Sequence, residues 1–191
     1  MIKIPQMQIK VPAVRINNGE RTENIIKEQE EICQATTKAI SKTAKYRKER
    51  EIREEYGRRL RICNDFLGMS GYRKLGCIYR EGFIDVATGH TCEHVIPVAE
   101  IVRMLIAEEI TFHESIFYPI ALIKGSSEER IKKSGRAKSH FDILNPFKRY
   151  EGLEINIFTW EGDYVDPNTW SMDEHWKLVK RTPRISEIYE L

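Results

Sequence analysis

The stretch that decides the expected fold runs Gly89-His90-Thr91-Cys92-Glu93-His94-Val95-Ile96-Pro97. Two short apolar runs precede it, Leu75–Tyr79 and Gly82–Val86, and glycines separate them. This texture predicts two short strands that lead into the stretch. Pro97 lacks a backbone N–H and is compatible with the end of a strand. After it, apolar residues at helical spacing predict an amphipathic helix that ends near Glu109.

The N-terminal third has a different pattern. Residues 1–18 alternate apolar and polar positions but are interrupted by prolines, which predicts an extended arm or an edge strand. From about Thr22 to Leu67, apolar residues recur at seven-residue and then four-residue spacing. This periodicity predicts one long helix or two shorter ones. Dimerisation through this helical region is an open alternative.

The C-terminal part mixes short strand-like and helix-like segments. We expect a strand or a buried helix at Ile116–Ile123, a strand at Leu153–Trp160 and a short helix at Ser171–Val179. The sequence therefore predicts an α+β fold. In this interpretation a helical, locally basic region at 19–68 precedes a compact mixed α+β domain at 69–191.

Composition excludes several classes of protein. The chain has 191 residues, of which 41% are hydrophobic and 31% charged, so it is long enough to bury a core. Its apolar runs are far shorter than the roughly 20 residues that span a bilayer, and its first residues do not resemble a secretory signal. We expect a cytoplasmic protein with no membrane partner. The four cysteines form no C-x-x-C motif and are interpreted as reduced core thiols.

Charge is distributed unevenly along the chain. The formal net charge is +2, but residues 38–61 contain ten Lys or Arg and only four Glu, a local charge of +6. Such a segment can present a basic face to a polyanion. The alternative is a solvated helix in which glutamates pair with neighbouring basic side chains. The residues of this segment that we predict to contact nucleic acid are Lys38, Lys42, Lys45, Arg58 and Arg59.

Glu93 and His94 have the chemistry that phosphodiester cleavage requires. A base must activate water, and a cation must neutralise the charge that develops on the phosphate. An imidazole with an ordinary pKa of about 6.5 suits the base. A carboxylate suits a hard ion such as Mg²⁺ or Mn²⁺. The alternative is a buried histidine hydrogen-bonded to a neighbouring strand, with Glu93 facing solvent.

On these residues the chain resembles the HNH, or ββα-metal, nuclease superfamily. The likeness covers Leu75 to Leu105, with Cys77-Ile78-Tyr79 upstream of Glu93-His94-Val95-Ile96-Pro97 in the order of a hairpin entry. The resemblance implies His94 as general base, Glu93 as a metal ligand and Mg²⁺ or Mn²⁺ as cofactor. The family's asparagine on the second strand and its final histidine or asparagine have no assigned counterpart here. A helical segment follows Pro97 where a second strand is usual, so this would be a divergent member.

The segment 139–150 contains the candidates for further metal ligands. His140 and Asn145 are the predicted ligands and Asp142 is a third candidate, and each of the three can instead orient His94. Each also has a structural interpretation: a surface histidine, a turn former before Pro146, and a turn or helix cap.

Lys148 and Arg149 are predicted to hold the phosphate backbone. An arginine can donate two hydrogen bonds to one phosphate. The alternative for Arg149 is a structural ion pair with Glu151 or Glu154.

The sequence thus predicts a metal-dependent endonuclease, with DNA favoured over RNA. It contains no phosphate-binding P-loop, no dinucleotide fingerprint and no serine nucleophile elbow. Two other classes stay open. One is a non-catalytic nucleic-acid-binding or regulatory protein that uses the basic helix. The other is a protein-interaction module with an aromatic surface made by Tyr164, Trp160, Trp170 and Trp176.

Overall fold

The computed structural model describes residues 19–40, 45–67, 77–82, 90–137, 141–183 and 185–190. The predicted arm at 1–18 lies outside these ranges, and so does most of the predicted strand at 82–86. Within them the chain is a mixed α+β protein, as the sequence predicts.

Helices make up most of the regular structure in the described part of the chain. They are α1 (Gly19–Ile40), α2 (Lys45–Phe66), α3 (Val98–Ile106), α4 (Phe112–Ser115), α5 (Gly125–Lys133), α6 (Met172–Arg181) and α7 (Ile185–Tyr189). A 3₁₀ helix at Pro146–Tyr150 follows α5 and precedes the last two strands.

Five strands form one mixed sheet. They are β1 (Tyr79–Glu81), β2 (His90–His94), β3 (Ile120–Lys124), β4 (Ile157–Thr159) and β5 (Tyr164–Val165). Their order is β2-β3-β1-β4-β5. Strand β3 is antiparallel to β2 and parallel to β1, whereas β4 is antiparallel to both β1 and β5.

The position of β3 changes the expected architecture around the motif. Its run Ile120–Ile123 is fully buried, which suits a strand in the interior of a covered sheet. Because β3 lies between β1 and β2, these two strands are not hydrogen-bonded neighbours. The hairpin entry implied by the resemblance is therefore wrong for the described strands, and the ββα-metal topology is not confirmed.

The helix predicted after Pro97 is confirmed as α3. It buries Ile101, Val102, Met104 and Leu105 on one face. The helix ends at Ile106, because the chain turns at Glu108, which has a positive φ of 58°. The strand and helix predicted further downstream are found as β4 and α6.

Helices α1 and α2 pack together and share the core of the sheet. Ile26 and Cys33 of α1 and Leu60 and Cys63 of α2 are all buried in one hydrophobic cluster with the strands. Arg59 donates from Nη1 to Oε1 of Gln29 over 2.9 Å and adds a polar link between the two helices. The helices α1 and α2 and the strands therefore share one apolar core. Part of the helical seam packs within the chain, and dimerisation stays a prediction.

A buried carboxylate joins β1 to the start of α5. Glu81 is 3% exposed, and its two oxygens accept from the backbone N–H of Lys124 and the hydroxyl of Ser127, each over 2.8 Å. A carboxylate near a helix N-terminus is favoured by the backbone dipoles there. The contact aligns β1, β3 and α5, and β3 pairs with the strand that carries the motif.

An aromatic network anchors α6 against the sheet. Trp170 donates from Nε1 to the Tyr79 hydroxyl over 3.1 Å, and this hydroxyl lies 2.9 Å from Nδ1 of His175. His175 in turn lies 2.8 Å from the carbonyl oxygen of Phe117 through Nε2. The carbonyl can only accept, so Nε2 carries the proton and Nδ1 accepts from Tyr79. Every polar atom of the network is paired, as burial requires.

The other aromatic residues of the proposed partner surface are also used internally. Trp160 donates from Nε1 to the hydroxyl of Thr182, and Trp176 packs on Tyr118 and Tyr189. Of the four predicted surface aromatics, Tyr164 is the one that is half exposed. None of the helices in the described ranges has the length and apolarity that a bilayer crossing demands.

His175 makes the stability of the fold depend on pH. Burial lowers the pKa of His175 to about 4, from an ordinary value of about 6.5. Between these values the unfolded chain binds a proton that the folded chain does not, so the free energy of unfolding decreases as the pH falls through this window. The contribution of His175 is at most about 1.4 kcal/mol per pH unit.

This pH dependence can be measured by urea unfolding at several pH values, with His175→Gln as the matched variant. Glutamine can still donate to Phe117 and accept from Tyr79, but it does not titrate. The free energy of unfolding of the variant should depend less steeply on pH than that of the parent protein. Equal slopes in the two proteins would contradict the assignment.

Candidate functional site

Strand β2 carries both residues of the motif and presents them on opposite faces of the sheet. Glu93 pairs with Ala121 of β3, and His94 pairs with Ile120. Successive side chains of a strand alternate between its faces. The predicted single centre is therefore divided into two adjoining environments, one on each face.

On one face, His94 is held by a buried asparagine of α2. Its Nε2 lies 3.0 Å from Oδ1 of Asn64, which is 1% exposed. The amide nitrogen of Asn64 donates to the carbonyl oxygen of Ile116 over 2.8 Å. This second bond fixes the orientation of the amide, so its oxygen faces the imidazole. Nε2 of His94 therefore carries the proton, and Nδ1 is left with its lone pair.

The surroundings of His94 keep the imidazole neutral. Burial, followed by the smaller effect of the Arg61 charge on α2, lowers its pKa to about 4. At neutral pH the ring is therefore uncharged, with one fixed tautomer. No hydrogen bond to Nδ1 comes from the described residues. The arrangement can accept a proton at that atom.

On the other face, Glu93 forms an ion pair with a fully buried arginine. Oε1 of Glu93 lies 2.9 Å from Nη2 of Arg149, whose side chain is 0% exposed. Arg149 also donates from Nη1 to the carbonyl oxygens of His94 (3.2 Å) and Val95 (2.9 Å), and from Nη2 to that of Ala137 (3.4 Å). The guanidinium thus holds the end of β2 through both a charge and the backbone.

This burial corrects two expectations for Arg149. A guanidinium enclosed by protein cannot reach a phosphate of the nucleic-acid backbone. The ion-pair partner is also neither Glu151 nor Glu154, but Glu93 on the neighbouring strand. Both differences follow from the burial of Arg149 in the 3₁₀ helix. Pro146, Phe147 and Tyr150 of the same helix are buried with it.

Tyr150 completes the environment of Glu93. Its hydroxyl is buried and has no hydrogen-bond partner in the described part of the chain, and the same is true of Nε of Arg149. Burial raises the pKa of the Tyr150 hydroxyl, and the nearby Glu93 raises it further. Burial also raises the pKa of Glu93, although Arg149 opposes that shift. The hydroxyl of Tyr150 and the Nε–H of Arg149 are therefore two buried hydrogen-bond donors without an acceptor among the described residues.

These groups do not fit a divalent cation held by Glu93. Its carboxylate is already neutralised by a guanidinium, which would repel a second cation. The orphaned donors suit an acceptor and not a metal ion. Among the described residues there is also no cluster of three or more His, Cys, Asp or Glu side chains with the geometry of a metal site.

The structure does not bring the other predicted ligands to the motif. His140 lies outside the described residues. Asn145 donates from Nδ2 to Oδ2 of Asp142 over 3.2 Å, and Asp142 also accepts from the backbone N–H of Leu144. Within the described ranges no hydrogen bond connects Asn145 or Asp142 to Glu93 or His94. The turn interpretation of these two residues accounts for their contacts.

The predicted basic contacts have mixed outcomes. The side chains of Lys38, Lys42 and Lys45 lie outside the part of the chain that the structure describes. Arg58 and Arg59 both bind Glu55, with closest distances of 2.7 Å. Arg59 is 15% exposed and Arg58 is 59% exposed, and the contact of each with nucleic acid stays a prediction.

Lys148 remains at the surface. Its side chain is 45% exposed and pairs with Glu151 at 3.0 Å and with Oδ1 of Asn168 at 2.6 Å. An exposed pair of this kind exchanges readily with solvent and contributes little to stability. Lys148 is therefore still able to contact a phosphate.

Sequence reasoning missed Asn64, which orients His94 from 30 positions earlier in the chain. A signal was present, because Asn64 lies on the same helical stripe as Leu60, Cys63 and Leu67, all of them buried. An amide on an apolar stripe must find a polar partner in the core. The sequence does not say which partner. Arg61 belongs to the basic segment 38–61, and only the tertiary structure brings its charge to His94.

The chain was also compared with known proteins. No protein-family model, no curated protein and no solved structure matches it.

The buried ion pair should dominate the stability of this site. Replacing Arg149 by methionine leaves the carboxylate of Glu93 without its partner, and we expect a loss of about 3 to 5 kcal/mol in the free energy of unfolding. The double variant Glu93→Gln/Arg149→Met should lose less than the two single variants together. Denaturant unfolding of all four proteins measures this difference.

Arg58→Met is the matched control for a surface ion pair. Its partner Glu55 keeps a second arginine, and the expected cost is below about 1 kcal/mol. A similar small cost for Arg149→Met would show that the buried pair does not hold β2.

Proposed function

We propose that this protein is a metal-dependent endonuclease that hydrolyses phosphodiester bonds in nucleic acid, with His94 as the general base. One observation carries the proposal. His94 is neutral at physiological pH, and Asn64 fixes its tautomer so that Nδ1 holds a lone pair. A positioned, uncharged imidazole is what removal of a proton from water requires.

In the proposed reaction, Nδ1 of His94 takes a proton from a water molecule as that water attacks phosphorus. The P–O bond to the leaving sugar oxygen breaks, and this oxygen takes up a proton from solvent. Asn64 keeps the ring oriented and stabilises the N–H on the opposite side. Arg61 is exposed on α2, and its charge acts on His94. A phosphate placed beside His94 would therefore be favoured by a nearby cation.

A low pKa has a consequence for this base. At neutral pH the imidazole of His94 is uncharged and can accept a proton. Because it is a weak base, however, it holds the proton it receives less strongly. An anionic phosphate beside the ring would raise the pKa of His94, since it favours the protonated form. Substrate binding would thus improve the base.

The proposal includes Mg²⁺ or Mn²⁺ as cofactor, because such an ion neutralises charge on the attacked phosphate. Glu93, as paired with Arg149, does not fit this role. Of the other two predicted ligands, Asn145 is engaged with Asp142, and His140 lies outside the described residues. The dependence on metal is therefore tested separately from the role of His94.

We propose DNA in preference to RNA as the substrate. The exposed cations Arg58 and Lys148 are the described members of the predicted nucleic-acid-binding set that can reach a phosphate backbone. Contacts of this type carry no sequence information. They would also weaken as salt is raised.

A second function is favoured by the Glu93–Arg149 pair. A carboxylate that is permanently engaged by a buried guanidinium can be a structural element and nothing more. In that case the protein would bind nucleic acid without cleaving it, and the motif would only hold β2 in place.

The test is an incubation of the purified protein with plasmid DNA and structured RNA, in Mg²⁺, Mn²⁺ or EDTA, at low and moderate salt. We expect cleavage of DNA with metal, and a loss of at least about 100-fold in rate for His94→Ala, the usual contribution of a general base. His113→Gln is the matched control, since His113 contacts the backbone of Tyr189 away from β2. Its activity should equal that of the parent protein.

Intact nucleic acid in every condition would sink the nuclease proposal for these substrates. A salt-sensitive gel shift that is equal in EDTA would then support the binding function. Cleavage that persists in His94→Ala would remove His94 from the mechanism.

A further inference from the structure

Two cysteines meet beside the candidate site. Sγ of Cys77 lies 3.7 Å from Sγ of Cys92. A disulfide bond requires about 2.0 Å, so the two sulfurs are in contact but not bonded. Cys92 is in the middle of β2, and Cys77 lies two residues before β1. The fold therefore brings together two thiols that are separated in the sequence, one on β2 and one in the segment that leads into β1.

The two thiols differ in their access to solvent. Cys77 is 0% exposed, whereas Cys92 is partly exposed. A reagent from solvent therefore reaches Cys92 first. Cys77 is already within reach of any group that forms on the Cys92 sulfur. This is the arrangement of an attacking thiol and a resolving thiol.

A partly buried cation, Arg80, lies close to both sulfurs. Burial lowers the pKa of Arg80, and negative charge on Cys77 or Cys92 would raise it. Arg80 and Cys92 also lie in one row across the sheet, since both pair with Leu122 of β3. A guanidinium in this position stabilises a thiolate, which is the reactive form of cysteine.

We propose that Cys77 and Cys92 form a reversible disulfide site that a hydroperoxide oxidises. The sulfur of Cys92 attacks the distal oxygen of the peroxide, the O–O bond breaks, and Cys92 becomes a sulfenic acid while water or an alcohol leaves. The sulfur of Cys77 then attacks the Cys92 sulfur, the S–O bond breaks, and a second water molecule leaves. Two thiols are oxidised to one disulfide, and one peroxide is reduced. Two molecules of a small thiol then reduce this disulfide by exchange and leave as a disulfide of their own.

The chain contains its own comparison for this proposal. Cys33 and Cys63 are 1% exposed and lie near each other between α1 and α2. Burial raises the pKa of each of these thiols to about 12. They are shielded from solvent and stay protonated. Peroxide should therefore oxidise Cys77 and Cys92 and leave Cys33 and Cys63 reduced, although each pair consists of neighbouring cysteines.

The disulfide would act on the strand that carries the candidate site. Cys92 directly precedes Glu93, and a bond to Cys77 would tie β2 to the segment that leads into β1. The proposal does not depend on a nuclease function. It requires only that the two sulfurs meet as the fold places them.

The test is peptide mapping of the folded, full-length protein after treatment with hydrogen peroxide. Free thiols are alkylated in denaturant, and the protein is digested with trypsin without reduction. Each cysteine falls in its own tryptic peptide, namely 28–38, 62–73, 75–80 and 81–103. We expect peptides 75–80 and 81–103 to become joined with the loss of two hydrogen atoms. Peptides 28–38 and 62–73 should stay alkylated, and a small thiol should restore all four.

Two variants separate the roles of the sulfurs. In Cys77→Ala the sulfenic acid on Cys92 has no resolving thiol, so a sulfenic-acid trap such as dimedone should label Cys92. Cys63→Ala is the matched control and should still give the joined peptides. Circular dichroism confirms that each variant is folded.

Separate, fully alkylated peptides 75–80 and 81–103 after peroxide treatment of the parent protein would overturn the proposal. So would a bond between Cys33 and Cys63 that forms first. Failure of the nuclease assay would not affect either readout.

Discussion

The buried guanidinium of Arg149 is the constraint on which the candidate site depends. It neutralises Glu93 and binds the carbonyl oxygens of His94, Val95 and Ala137. An arginine carries its charge at any physiological pH, so burying one is costly unless its donors are paired. Here four acceptors converge on it from two parts of the chain. The end of β2 and the 3₁₀ helix are therefore held together by one side chain.

This constraint explains why the motif divides into two environments. Glu93 is drawn to the Arg149 face of the sheet, and alternation along β2 sends His94 to the face covered by α2. There Asn64 determines the tautomer of the ring because Ile116 has already oriented the amide. One buried polar contact on each face of β2 therefore fixes the strand. Together they leave His94 neutral, with a defined lone pair.

Much of the fold could be predicted from the sequence. The apolar spacing after Pro97 indicates α3, and the segment around Ile120 indicates a buried element that proves to be β3. Periodicity reports which side of a segment is apolar, and this predicts α3 as a helix but leaves the type of the buried Ile116–Ile123 element open. It does not report which strands are neighbours. The insertion of β3 between β1 and β2 depends on long-range pairing, and therefore the expected hairpin was wrong.

The sequence by itself determined the chemical inventory: a histidine beside a carboxylate at the end of a strand, a basic α2 segment, and four cysteines without a local motif. Only the tertiary structure decided how these groups are used. It paired Glu93 with Arg149 across 56 positions of the chain, His94 with Asn64 across 30, and brought Cys77 against Cys92. The physical reason is that local propensity acts over a few residues. Burial instead obliges each distant polar group to find a partner wherever the packed core places one.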